Sequence, residues 1–400
     1  MTPITCIQDL RELAEKRVPR AFFQYVDSGS YAEETFRANR SDMERITLRQ
    51  RVLVNVDKRD LSTTIVGQKV SLPIALAPIG LCGMQHGNGE ILAAQAANAA
   101  GVPFCLSTMS ICSIEQVAEA TGKPFWFQVY VIRDRAFIEA LIARAKAANC
   151  SALVLTVDLQ VLGQRHRDIK NGMTVPPKIK LANILDIATK PRWAMSVLNA
   201  KSKTFGNLAG HVKGMEGVNS LAQWTNSQFD PTLSWEDVAW IRKLWPGKLI
   251  VKGILDVEDA RLASKSGADA IVVSNHGGRQ LDGAPSSISM LPKIADAVGN
   301  DIEVMFDGGI RSGQDLMRAL ALGAKSCLIG RAYIYGLGAL GGEGVSKAIE
   351  IIRKELDITM ALTGVTHIAD IGRNVLATET LPERTQVLDM AEPKAAAAGR

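Results

Sequence analysis

The sequence predicts an α/β fold, a (β/α)8 TIM barrel with a helical segment before it and one long insertion after the fourth strand. Three observations predict it. Eight short apolar or β-branched runs recur along 400 residues; runs this continuous suit parallel strands buried on both faces. Amphipathic helical stretches such as DRAFIEALIARAKAANC and SGQDLMRALALGA lie between most of them, the alternation that builds βα units. The open doubly wound sheet that would be the alternative lacks its G-x-G-x-x-G after the first run.

In chain order the first 60 or so residues read as helical. The strands are SLPIALAP (71–78), PFCLST (103–108), FWFQVY (125–130), ALVLTVD (152–158), LIVKG (249–253), AIVVSNHG (270–277), EVMFDGG (303–309) and SCLIGR (326–331). The spacing breaks once, between Leu159 and about Pro231, far beyond the usual length of a βα loop. Residues 1–390 are read as a single domain and 391–400, within AEPKAAAAGR, as a disordered tail.

An apolar content of 47% supports a packed core. The six cysteines form no C-x-x-C pair and no zinc spacing, so they read as buried thiols in a reducing compartment and no metal site is expected. MTPITCIQDLRELAEKRVPR lacks the apolar region of a secretory signal, and no stretch has the length of uninterrupted apolar residues that a spanning helix needs; the expected topology is cytoplasmic. The net charge of +5 is unevenly spread. Eight basic residues stand against one acid, Asp186, between Lys170 and Lys213. Aromatic residues do not recur among these bases and no nucleic-acid-binding motif is present, so nucleic acid is a poor explanation.

In a barrel of this kind the C-terminal strand ends share one face, where active sites are built. Strand three ends in Gln128 and Tyr130, strand four in Thr156 and Asp158 with Arg165 beyond, strand five in Lys252, and strand six in His276 and Arg279. A histidine at such an end is a candidate base, a carboxylate at Asp158 could orient it and favour its protonated form, and an arginine could hold an anionic substrate by forked hydrogen bonds. Taken alone His276 would be a loop histidine with its bonds met; its ionisable company argues otherwise. FDGGIRSG and LIGRA each bring glycines, an arginine and a helix start, so Gly308, Gly309, Arg311, Gly330 and Arg331 predict a phosphate site, with Asp307 beside them expected among the cofactor-binding residues. Lys252 fits either Schiff-base chemistry, as in barrel aldolases, or a flavin whose reduced ring gains from a cation. Spacing does not choose between an aldolase, a flavin-dependent isomerase and a flavin dehydrogenase.

SNHGGRQLDG with FDGGIRSG, LIGRA, ALAPIGLCG, LSTMS, WFQVY and LTVD resembles the FMN-dependent 2-hydroxy acid dehydrogenase and oxidase family, over about Asp9 to Leu376. FFQYVDSGSYAEETFRAN and NSQFDPTLSWEDVAWIR bring it nearest the bacterial respiratory branch that acts on L-lactate. The resemblance implies FMN as cofactor and oxidation of an L-2-hydroxy acid, lactate to pyruvate, with electrons passed to a membrane quinone or another respiratory acceptor. An oxygen-using oxidase and a dehydrogenase for a larger, mandelate-like acid are the alternatives. It implies His276 as base with Asp158 as partner, Arg165, Arg279 and Tyr25 on the substrate carboxylate, and Tyr130 on its hydroxyl. Ala77, Pro78, Ile79 and Gly80 would pass beside the flavin ring, Ser107, Gln128 and Thr156 would contact its polar edge, and Lys252 would stabilise its reduced form. Ser274 would touch the ribityl chain, and the two glycine–arginine loops would take the phosphate. Gly80, where several oxidases have alanine, and Met109, where glycolate oxidase has tryptophan, imply a different pocket above the flavin.

Leu181, Ile184, Leu185 and Ala188 recur at helical spacing beside Lys178, Lys180 and Lys190, with Trp193, Met195 and Leu198 following. A positive amphipathic segment can lie on an anionic membrane, and membrane-bound family members contact the bilayer through this insertion. Peripheral contact through about 178–213, on the inner face of the cell membrane, is therefore expected, as is a homo-oligomer, a tetramer by resemblance. A non-catalytic membrane-surface protein on a barrel scaffold is the rival from another class; the retained ionisable strand ends argue against it.

Overall fold

Each of the eight apolar runs contains a strand. In a computed structural model, which describes residues 3–173, 181–209 and 228–377, they are β3 (Ile74–Leu76), β4 (Cys105–Ser107), β5 (Trp126–Tyr130), β6 (Ala152–Thr156), β7 (Lys248–Ile254), β8 (Ala270–Val273), β9 (Glu303–Phe306) and β10 (Ser326–Ile329). All pair in parallel in the order β3-β10-β9-β8-β7-β6-β5-β4. A parallel bridge between Leu76 and Phe104 joins the two ends, so the sheet closes into a barrel. Alternate side chains point inward: Ala75, Cys105, Trp126, Val154, Ile250, Val272, Met305 and Leu328 fill the bore, while their neighbours pack against the surrounding helices. Burial on both faces is why the strands read as unbroken apolar runs.

The segment before the barrel is less helical than its composition suggests. Helices cover Ile7–Arg17, Arg20–Asp27 and Glu34–Glu44, but an antiparallel hairpin follows, β1 (Thr63–Ile65) and β2 (Gln68–Val70). Its Ile65, Val66 and Val70 join the bore residues and close the N-terminal end of the barrel. The turn is tight enough to hold Val66 and Gly67 at positive φ, and the Val66 N–H donates to both Glu303 carboxylate oxygens at 3.1 Å.

Of the insertion, helices Leu181–Ala188 and Pro191–Leu198 are described, while Lys178, Lys180 and Lys213 lie outside the described residues, as does the expected tail at 391–400. Leu181, Ile184, Leu185, Met195 and Leu198 are exposed, as an amphipathic surface segment requires. Trp193 does not join that surface. It is buried, stacks on Phe22 at 5.3 Å and donates from its indole to the Met84 carbonyl at 2.8 Å, which pins the insertion to the barrel. An indole with a partner for its N–H is a stable core anchor, so burial here is the cheaper solution than exposure.

Candidate active site

Past β8 the chain turns through three consecutive left-handed residues, His276 (φ 57°), Gly277 (66°) and Gly278 (73°). A left-handed non-glycine residue costs about 1–2 kcal/mol, so the turn is held by its surroundings. Ser274 Oγ accepts from the His276 N–H at 3.1 Å and from Lys252 Nζ at 3.0 Å. At Gly278 a Cβ would sit 2.5 Å from the Phe36 backbone. This turn delivers the imidazole to Asp158 at the end of β6: His276 Nδ1 lies 2.9 Å from Asp158 Oδ1. Room for that carboxylate comes from Gly253, where β7 shifts register; a Cβ there would be 2.7 Å from Asp158 Cβ and Cγ.

The electrostatics set this pair up as a base. Burial lowers the His276 pKa below its usual 6.5, and Lys252 and Arg165 add to the lowering; Asp158 opposes them without reversing the direction. Burial would raise the Asp158 pKa, but His276 and Lys252 outweigh it and hold the carboxyl ionised below its ordinary range. The expectation that Asp158 favours a protonated histidine therefore holds only for its own contribution. A neutral imidazole donating from Nδ1 to a carboxylate leaves Nε2 as acceptor.

Arg279 is half-buried beside this pair. Its Nη1 donates to the Tyr25 carbonyl at 2.6 Å and the Ser28 carbonyl at 2.9 Å, and its guanidinium lies 5.0 Å from the Tyr25 ring centroid. Burial and the neighbouring Arg165 bring its pKa down to about 10, still charged at neutral pH. Arg165 donates weakly to the Arg279 carbonyl, 3.5 Å away, and sits 3.9 Å from Asp168. Two guanidinium groups close together and partly dehydrated favour an anion between them. Tyr130 stands opposite, its phenol pKa pushed up by burial and by Asp158, so it remains a hydroxyl donor. Phe229, from the far end of the insertion, packs edge-on against it at 6.3 Å and pairs with Ile132.

The residues expected around the flavin have a chemistry that fits it. Gln128 Nε2, Thr156 Oγ1 and Asp307 Oδ1 are buried without a hydrogen-bond partner among the described residues. Buried polar atoms are costly unless bonded, and three of them clustered at strand ends match a flat ligand with a polar edge. Lys252, 2.8 Å from Asp307 and 3.0 Å from Ser274, has its pKa raised: burial alone would lower it, and Asp307 and Asp158 prevail. It stays a cation in the cavity wall. Gly308 and Gly309 hold φ near 105°, and a Cβ on Gly309 would meet the Asn39 carbonyl at 2.4 Å. The helix Arg331–Leu340 begins at Gly330 with no side-chain cap, whereas the helix after Ser312 is capped by it. An uncapped N-terminus flanked by arginines binds anions.

One cavity of about 830 Å³ gathers most of these residues. Tyr25, Ala77, Pro78, Ile79, Gly80, Ser107, Tyr130, Arg165, Lys252, His276 and Arg279 line it, together with Asp307, Gly308, Gly309, Arg311, Gly330 and Arg331. Gln128, Asp158 and Ser274 are not on the wall, but each bonds a residue that is, Ser107, His276 and Lys252 in turn, and Thr156 pairs with Lys252 between β6 and β7. Two predicted features differ in detail. The Arg331 guanidinium donates to the carbonyls of Val26, Gly277 and Ser28 at 2.7–2.9 Å, so its side chain is a clamp and its charge, rather than a free fork, faces the cavity. Gly80 does not simply leave room, because Met109 Cβ lies 3.2 Å from where its Cβ would be. The residues picked from the sequence for the site do not include Phe229 or Gln280, whose Nε2 donates to the Asp158 carbonyl at 2.8 Å. Both carried a signal, Gln280 by its place inside SNHGGRQLDG and Phe229 by its place inside NSQFDPTLSWEDVAWIR.

A barrel with a histidine–carboxylate base, paired arginines and a phosphate cradle is the frame of a flavin-dependent oxidoreductase, and the chain belongs to the FMN-dependent dehydrogenase family, whose model matches residues 14–378. The chain is 50% identical over 374 residues to the L-lactate dehydrogenase of Haemophilus influenzae (strain PittEE), covering 93% of this chain and 98% of that one. It is 49% identical over 375 residues to the L-lactate dehydrogenase of Caulobacter sp. (strain K31), covering 94% and 98%. Among solved structures it resembles the monotopic membrane protein (S)-mandelate dehydrogenase, with a TM-score of 0.89 and 35% identity over 94% of this chain and all of that one. Mandelate oxidase aligns with a TM-score of 0.79 at 35% identity, covering 94% and 98%.

Proposed function

We propose that this chain oxidises L-lactate to pyruvate with FMN and passes the electrons to a membrane quinone. The observation that carries the reading is the convergence of the His276–Asp158 pair with Arg165, Arg279, Tyr25 and Tyr130 in the cavity that also contains the glycine–arginine loops. FMN, when bound, supplies a two-electron acceptor; Ala77–Gly80, Ser107, Gln128, Thr156, Lys252, Ser274 and Asp307 would hold its ring and chain, and Gly308, Gly309, Arg311, Gly330 and Arg331 its phosphate end. Arg165, Arg279 and Tyr25 grip the substrate carboxylate. Tyr130 bonds the 2-hydroxyl, whose proton His276 Nε2 takes while Asp158 steadies the imidazolium. The test is anaerobic mixing of the yellow protein with each lactate enantiomer. L-lactate should bleach the flavin and D-lactate should not; bleaching by (S)-mandelate but not L-lactate would move the substrate to the larger acid.

The same reading has the protein rest on the inner face of the cell membrane as a homotetramer. No described helix is long and apolar enough to cross a bilayer. Leu181, Ile184, Leu185, Met195 and Leu198 expose an apolar surface on two successive helices, within the lysine-rich insertion, as a peripheral contact would. Co-sedimentation with anionic vesicles at low salt, reduced by Ile184→Asp with Leu185→Asp, tests the contact, and sedimentation velocity tests the tetramer.

A further inference from the structure

The cavity does not end at the candidate active site. It continues outward between Pro19–Phe22 and the helix Leu181–Ala188, where Phe22, Met84, Leu162, Ile169, Met173 and Ile187 line it. These six side chains are apolar, with Asn171 and Asn183 the polar ones beside them, and the charge at the rim is the wrong sign for a 2-hydroxy acid anion: Asp186 lines it, its carboxylate accepting from the Arg20 N–H at 2.6 Å. The helix Leu181–Ala188 has two faces. Asn183, Asp186 and Ile187 turn to the cavity, at helical spacing, while Leu181, Ile184 and Leu185 are exposed on the other side. One thin wall therefore separates the apolar outer surface from the cavity that contains His276 and Lys252.

We propose that this outer limb is the binding site for the electron acceptor, a lipid-dissolved quinone whose ring enters between Phe22 and Ile187 while its tail remains with the lipid. The inference rests on the flavin-to-membrane reading above. A flat, neutral, apolar ring suits an apolar slot with few polar groups, whereas a lipid acyl chain would gain nothing from continuity with the flavin-bearing cavity. The electron count closes: L-lactate gives up two electrons and two protons as it becomes pyruvate, FMN relays the electrons, and the quinone takes up two electrons and two protons to become quinol.

The experiment uses the FMN-loaded protein and a decyl-tailed benzoquinone. Its Kd is measured by equilibrium dialysis, and turnover is measured with L-lactate against either this quinone or ferricyanide. Ile187→Trp narrows the limb, and Ile169→Trp does so from the helix His166–Lys170, at an exposed position with less risk to folding. Each is expected to weaken quinone binding and raise the quinone KM about tenfold or more, the effect of overfilling a packed site. Anaerobic bleaching by L-lactate and turnover with ferricyanide should stay within about twofold, since the chemistry lies in the inner cavity. Unchanged quinone Kd in both variants overturns the proposal. So does an equal slowing of lactate bleaching, which would make the limb the substrate channel. If L-lactate fails to bleach the unaltered protein, the functional reading falls separately, and dialysis still reports on the quinone site.

Discussion

Asp158→Asn is the most direct probe of the proposed base. Asparagine keeps the shape and can accept from His276 Nδ1 across the same 2.9 Å, but the negative charge is gone. At about 4 Å and an effective dielectric near 20, a unit charge pair is worth about 4 kcal/mol before desolvation is subtracted. A hydrogen bond to a charged group nets about 1.5–3 kcal/mol. The smaller range applies here, because much of the Coulomb energy is spent on burying Asp158 and His276 together. At about 1.4 kcal/mol per decade, the flavin-reduction rate should fall roughly 10- to 150-fold. The pH profile moves as well. Asp158 raises the His276 pKa against burial, Lys252 and Arg165; without it that pKa drops further. Since the base must be unprotonated, activity is lost as pH falls through its pKa, so the acid limb, already below 6.5, should shift to still lower pH in the variant. Stopped-flow anaerobic bleaching across pH, with thermal unfolding as a folding control, reads both effects. A rate within about twofold of the unaltered protein, or a limb displaced to higher pH, would refute the pairing.

Three further outcomes follow from the same geometry. Gly253→Ala puts a methyl 2.7 Å from Asp158 at φ 110°; the carboxylate must move, and since a misplacement of about 1 Å costs about 100-fold, single-turnover flavin reduction should fall by up to that factor with FMN retained. Lys252→Met leaves Asp307 buried without its cation, a loss of about 3–5 kcal/mol, to be seen as a lower Tm and reduced FMN content after gel filtration. Gly80→Ala meets Met109 Cβ at 3.2 Å and Tyr25 Oη at 3.5 Å; overpacking of about 1 kcal/mol should raise the L-lactate KM several-fold while the bound flavin spectrum persists.

The barrel was legible because strands buried on both faces must be apolar throughout, and the polar residues that break those runs, Thr156, Lys252 and His276, are where the cavity begins. The pairing of Asp158 with His276 was legible for the same reason: they stand at ends of strands that share one barrel face. The hairpin was not, since TTIVGQKV gives each strand only three residues and its buried members answer to the bore rather than to each other. Trp193 read as part of an amphipathic surface because helical spacing reports which residues share a face, but not whether another element covers that face. Phe229 was hidden because its partner Tyr130 lies about a hundred residues away, across an insertion whose path no local pattern dictates.

The same distance explains how the substrate side of the cavity is held. Tyr25 and Ser28 give their carbonyls to Arg279, and Val26 and Ser28 give theirs to Arg331. The next turn closes on the β8 loop, with the Ser30 N–H on the Gly278 carbonyl at 2.9 Å. Two half-buried cations thus fasten one short N-terminal stretch over the barrel mouth. Among the described residues Arg279 bonds carbonyls through one nitrogen, Nη1, which fixes the plane of its guanidinium and points to Nε and Nη2 as the donors for the proposed carboxylate. A donor whose orientation is set before the substrate arrives loses little entropy on binding. Arg331 links the same stretch to the first turn of the helix that would hold the phosphate, so filling either end of the cavity steadies the arm that covers the other.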